Sequence, residues 1–130
     1  MTRRVLTVDD SPTIRSMMDV ILTGAGYEVL SAENGRDGLG LLDVFSFDMI
    51  ITDLNMHVMG GLSFIRHIRE LKKYASVPIL VVTTEGSDEI KELGRSYGAT
   101  GWVTKPFEPE KFLAAVNRVC PIGEPRAATG

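Results

Sequence analysis

Five times along this chain a short apolar run stops at polar residues and gives way to a stretch whose apolar positions recur with helical period. Arg4 to Val8 (RVLTV) stops at Asp9 and Asp10. Ser11 can then cap a helix with Pro12 at its first position. Ile14, Met17, Met18, Ile21 and Leu22 form one apolar stripe of that helix, which ends at Gly24 or Gly26. Tyr27 to Ala32 (YEVLSA) reads as a second strand, and Asn34-Gly35 turns into a helix carrying Leu39, Leu42 and Phe45 inward. Phe47 to Thr52 (FDMIIT) runs into Asp53, and beyond a glycine-containing loop Leu62, Ile65, Ile68 and Leu71 mark a third helix, predicted to end at Lys72 and Lys73.

Val77 to Val82 (VPILVV) is the most apolar run and leads to Thr83 and Thr84. Ser87 caps the next helix, with Ile90, Leu93 and Tyr97 inward. Gly101 to Thr104 (GWVT), Lys105-Pro106 and a helix over 109–119, with Phe112, Val116 and Val119 facing the core, complete the series. Residues 121–130 (PIGEPRAATG) show no period and are read as a loose tail.

Strands separated by helices require right-handed crossovers, and each crossover helix covers one sheet face. Near-continuous apolar strands agree with burial on both faces. The fold class is therefore α/β, a doubly wound, five-stranded parallel sheet with five helices in three layers. With 130 residues and 44% hydrophobic content the chain can fill one core, so a single domain over 1–120 is predicted.

Net charge is −3 and the Lys and Arg residues look scattered along the sequence, which argues against a nucleic-acid surface. One cysteine, Cys120, excludes an internal disulfide, and no Cys/His cluster has zinc spacing. No stretch reaches the apolar length of a signal core or a membrane span, so a soluble, cytoplasmic protein is expected.

In sheets of this class ligands bind beyond the carboxyl ends of the strands. The polar residues delivered there are Asp9, Asp10, Asp53, Thr83, Thr84 and Lys105. Three carboxylates in one place repel unless a cation joins them. All-oxygen ligation selects magnesium, which favours a few carboxylates, retained waters and a phosphate. Magnesium, a carboxylate, a hydroxyl and a lysine are the parts that phosphoryl transfer to an aspartate needs. Asp53 is the nucleophile candidate, Asp9 and Asp10 hold the metal, the Asn55 carbonyl can complete its shell, and Thr83 and Lys105 serve the phosphoryl oxygens. Singly, each has a plainer role: a strand-ending acid forms turns or caps, a threonine fills a strand, a lysine sits in water.

The pieces VDDSPTIR at 8–15, ITDLNM at 51–56, VVTTE at 81–85 and GWVTKPF at 101–107 together resemble the receiver domain of two-component response regulators, over about residues 4–119. The resemblance implies the flavodoxin-like strand order 2-1-3-4-5. It also implies that Asp53 takes a phosphoryl group from a phosphohistidine on a histidine kinase, with Mg2+ held by Asp10, Asp53 and the Asn55 carbonyl and assisted by Asp9. Thr83 and Lys105 match the switch hydroxyl and the phosphate-pairing lysine, and Lys105-Pro106 matches a bond that is typically cis. Trp102 stands at the switch aromatic, which turns inward on activation and remodels the surface of the last two helices and the fifth strand.

PTIR, Asn55 and Glu85, with no output domain following, resemble the stand-alone CheY-like chemotaxis branch. That implies a monomer, not itself an enzyme, which binds a partner such as the flagellar motor switch protein and is reset by a phosphatase. A phosphate sink and a single-domain regulator of another kinase pathway share the same site. An enzyme of the haloacid-dehalogenase type uses similar groups but places a DxD motif after its first strand, and a flavin module needs a Thr/Gly-rich first loop; neither is present. The chain departs from the family at His57, where a proline is usual, and at Gly60, where an acid is usual. Both changes loosen one loop, which is predicted to be mobile without metal, with His57 solvated.

Overall fold

A computed structural model describes residues 2–120. The element order is β1 (Arg4–Val8), α1 (Pro12–Gly24), β2 (Glu28–Ala32), α2 (Gly35–Val44), β3 (Met49–Thr52), α3 (Gly61–Glu70), a 3-10 turn (Lys72–Tyr74), β4 (Ile79–Thr83), α4 (Asp88–Tyr97), β5 (Gly101–Thr104) and α5 (Pro109–Val119). All strand pairs are parallel, in the order β2-β1-β3-β4-β5. The sequence-predicted tail, 121–130, lies outside the described residues.

Strand periodicity sorts the side chains into two cores. Leu6, Val8, Ile50, Ile79 and Val81 pack with Leu42, Phe64, Ile65 and Ile68, so α2 and α3 cover one face. Val5, Met49, Ile51, Leu80 and Val82 pack with Met18, Leu22, Phe112 and Val116, which puts α1 and α5 on the other. The predicted N-caps hold, with Ser11 accepting from the Ile14 N–H and Ser87 from that of Ile90; Asn34, read from sequence only as part of a turn, also caps its helix by accepting from the Asp37 N–H.

Several details differ from the sequence reading. α3 ends at Glu70, and Lys72 and Lys73 fall in the 3-10 turn, because the Leu71 and Tyr74 amides bond back only three residues. Leu71 is consequently 40% exposed, whereas Ile65 and Ile68 of the predicted stripe are fully buried, joined by Phe64, which the stripe did not include. Phe45 lies one residue past α2 and is half-exposed. Leu93 and Met17 point partly to solvent because α4 meets its neighbours through Gly94, and α1 through Met18 and Leu22. The strands are shorter at their starts than the apolar runs, since Tyr27, Phe47 and Val77 serve the core from loops.

Candidate functional site

The strand ladders continue past the apolar runs into the acids. The Asp53 N–H donates to the Val8 carbonyl and the Asp9 N–H to the Ala32 carbonyl, at 3.0 and 3.2 Å. Since Val8 is in register with Thr52, Asp9 and Asp53 leave neighbouring strands side by side. The Lys105 N–H bonds the Thr83 carbonyl at 2.7 Å, which carries β5 one residue further into the same end of the sheet. Asp9, Asp53 and Lys105 also keep the strand parity of Val5, Ile51 and Val103, so all three belong to the face that α1 and α5 cover.

There Lys105 Nζ lies 2.8 Å from Asp9 Oδ2 and 2.9 Å from Asp53 Oδ2. Asp9 is 1% and Asp53 7% exposed, so both charges are largely out of water. Their other oxygens are held by main chain: Asp53 Oδ1 accepts from the Leu54 N–H at 2.6 Å and the Asn55 N–H at 3.4 Å, and Asp9 Oδ1 from the Ser11 N–H at 2.9 Å. Burial presses the Lys105 ammonium toward its neutral form, but the bonds and charges of Asp9 and Asp53 outweigh it and hold its pKa above the ordinary lysine value. The lysine stays charged.

Asp10 is the exposed member. One oxygen from each of Asp9, Asp10 and Asp53 falls within 4.8 Å of the others. Three carboxylates against one ammonium leave two negative charges, and the donors are all oxygen. That donor set fits a divalent hard cation of the magnesium kind. Arg15, whose Nη1 donates to the Asp9 carbonyl at 2.6 Å, fixes the backbone of the acidic turn; the sequence reading missed it.

Thr83 is fully buried, with its Oγ1 3.5 Å from the Glu85 N–H. Trp102 points to the α4 side, where its Nε1 donates to the Glu85 carbonyl at 2.9 Å. The indole fits against Gly94: a Cβ built there would lie 2.5 Å from Trp102 Cζ3. Lys105-Pro106 is cis. His57 is exposed, as predicted, but its Nδ1 is 3.8 Å from Asp10 Oδ2. Gly60 caps α3 without a side-chain bond. The residue that the sequence reading passed over is Gly61, since a Cβ there would collide with the Asp53 carbonyl oxygen. A glycine directly after another, eight residues beyond the acid, was the available signal.

The family model for the response regulator receiver domain matches residues 5–117. The chain belongs to that family. This receiver domain is 34% identical to Protein PilH of Pseudomonas aeruginosa, over 89% of this chain and 96% of that one. It is 35% identical to a chemotaxis protein CheY homolog of Campylobacter jejuni, with 96% and 98% covered. Among solved structures, the chemotaxis response regulator CheY4 of Vibrio cholerae superposes with a TM-score of 0.88 at 46% identity, over 92% of this chain and 99% of that one. The fold predicted from sequence is thereby shown, strand order included. No helix among the described residues is long and apolar enough to cross a membrane.

Proposed function

We propose that this receiver domain is a phosphorylation-activated switch in which Asp53 accepts a phosphoryl group from a histidine kinase and the altered surface binds an output protein in chemotaxis. The observation that carries the proposal is Lys105 bridging Asp9 and Asp53 within reach of Asp10. An Asp53 carboxylate oxygen attacks the phosphorus of a phosphohistidine, the P–N bond breaks, and the imidazole leaves, taking a proton from solvent. Asp9, Asp10, Asp53 and the Asn55 carbonyl would hold magnesium, which would neutralise phosphoryl charge.

The chain's own residues do the rest. The Leu54 and Asn55 amides orient the Asp53 carboxylate, and Lys105, kept cationic by its two partners, is at hand for a phosphoryl oxygen once Asp53 carries the acyl phosphate. Thr83 offers its buried hydroxyl on the other side. Its neighbour Glu85 is bonded to Trp102, and Trp102 is seated on α4, so a change at Thr83 reaches the α4–β5 surface through one stretch of main chain.

The similarity to chemotaxis CheY proteins supports chemotaxis-type output, with the flagellar motor switch as the first partner to test. Pull-downs with the beryllofluoride form and with Asp53→Asn make that test. Recovery of the motor switch protein with the former alone is the expected result; recovery of nothing but a kinase makes the domain a phosphate sink instead.

A further inference from the structure

The Lys and Arg residues look scattered in sequence, but four of the 14 fall within residues 66–73. Residues 61–74, α3 and the turn after it, carry Arg66, Arg69, Lys72 and Lys73 against the single acid Glu70, in a chain whose net charge is −3. Between α3 and α4 an open groove of about 330 Å³ is lined by Arg66, Arg69, Glu70, Ser96 and Tyr97.

Both arginines are ordered before any partner arrives. The Arg66 guanidinium lies 4.9 Å from the Tyr97 ring centroid, with Nη2 donating to the Tyr97 hydroxyl at 2.9 Å. Arg69 is half-buried and donates to the Gly98 carbonyl through Nε and Nη2 and to the Tyr74 carbonyl through Nη1. Burial lowers its pKa. Among the described residues neither arginine has a carboxylate partner within salt-bridge distance, whereas the acid of α4 nearest the groove in sequence, Glu92, is already paired with Arg95 at 2.7 Å. Arg66, held over Tyr97 and with no paired carboxylate, matches a carboxylate as a planar, two-pronged donor with little entropy left to lose, while the Arg69 donors are already on carbonyls and Arg69 adds only charge, beside Glu70, the acid of the groove.

We propose that the α3–α4 groove is a docking surface for an acidic segment of a partner protein, with Arg66 as its main anchor and Arg69 setting the local field. The surface lies on the opposite face of the sheet from α1 and α5 and requires no phosphorylation, so it stands or falls separately from the role of Asp53.

Fluorescence anisotropy of labelled hexaglutamate titrated with the full chain tests this. Binding should weaken as salt rises, and Arg66→Glu should reduce affinity about tenfold or more. Lys111→Glu, an equal charge reversal on the far face, should change it by less than about twofold. A circular dichroism spectrum and urea-unfolding midpoint close to those of the wild type establish that the Arg66→Glu variant is folded. No binding by wild type, or equal losses in the two variants, overturns the proposal. Tighter, Arg66-dependent binding of a short DNA duplex or of phosphatidylserine vesicles than of hexaglutamate overturns it in favour of a different partner class.

Discussion

Gly61 and Val58 shape the backbone of the loop that joins Asp53 to α3. Gly61 packs on the Asp53 carbonyl and donates its N–H to the Leu54 carbonyl at 2.9 Å, closing the loop on the site. Gly61→Ala forces that backbone apart. The expected outcome is a loss of about 1–3 kcal/mol in urea unfolding together with weaker magnesium binding by calorimetry; an unperturbed magnesium affinity would refute this role. Val58 has a φ of 68°, a left-handed conformation that costs a β-branched residue about 1–2 kcal/mol, and its side chain is exposed. Val58→Asn should therefore stabilise the domain by about 1 kcal/mol, measured by the same unfolding assay. A neutral or destabilising result would mean that the Val58 side chain earns its place in contacts.

At the scale of elements, α4 and β5 meet through one fit between a large and an absent side chain. Gly94→Ala should displace the Trp102 indole and break its bond to the Glu85 carbonyl, and because Trp102 is the only tryptophan its emission should shift on substitution. An unchanged spectrum would show that the indole is not seated on Gly94. Element boundaries were legible wherever a cap or a helix-starting proline marked them, as at Ser11-Pro12, Asn34 and Ser87. The end of α3 was not, because Leu71 continues the apolar period and only a change from four-residue to three-residue hydrogen bonding stops the helix. Leu93 was misplaced for a related reason: periodicity marks a face, but Gly94 beside Trp102 decides which side of α4 lies closest to the sheet.

For the whole molecule, the topology and the central site were readable because a parallel sheet collects its strand ends in one place. Asp9, Asp53 and Lys105 needed only to be recognised at such ends to be brought together. Arg15 was hidden, since a backbone contact across a turn leaves no spacing rule in the sequence; the four cations within 66–73 stood in plain sequence, but the groove that two of them line with Ser96 and Tyr97 depends on a pairing of helix faces that no spacing reveals. Away from the site, the sheet's opposite end closes through Tyr27, whose hydroxyl donates to the Cys120 carbonyl at 2.9 Å and to Asn117 Oδ1 at 3.0 Å. Burial, and then the Cys120 charge, raise the Tyr27 pKa against the opposing pull of Arg3. The neutral phenol is thus favoured in the folded state, so its contribution is present below the unfolded tyrosine pKa of about 10 and is lost as pH rises through the higher folded value. Unfolding free energy should fall above that pH, and Tyr27→Phe should flatten the fall; an identical slope in the variant would contradict this assignment.

The proposed role of Asp53 as phosphoryl acceptor rests on the acids and Lys105 that converge on it. Incubating the domain with magnesium and a small acyl or phosphoramidate phosphodonor, then locating the modification by peptide mass mapping, tests it directly. A magnesium-dependent phosphoryl group on Asp53, absent from Asp53→Asn and formed far more slowly in Lys105→Ala, is the expected result. Modification at another residue, or undiminished incorporation into Asp53→Asn, would contradict it.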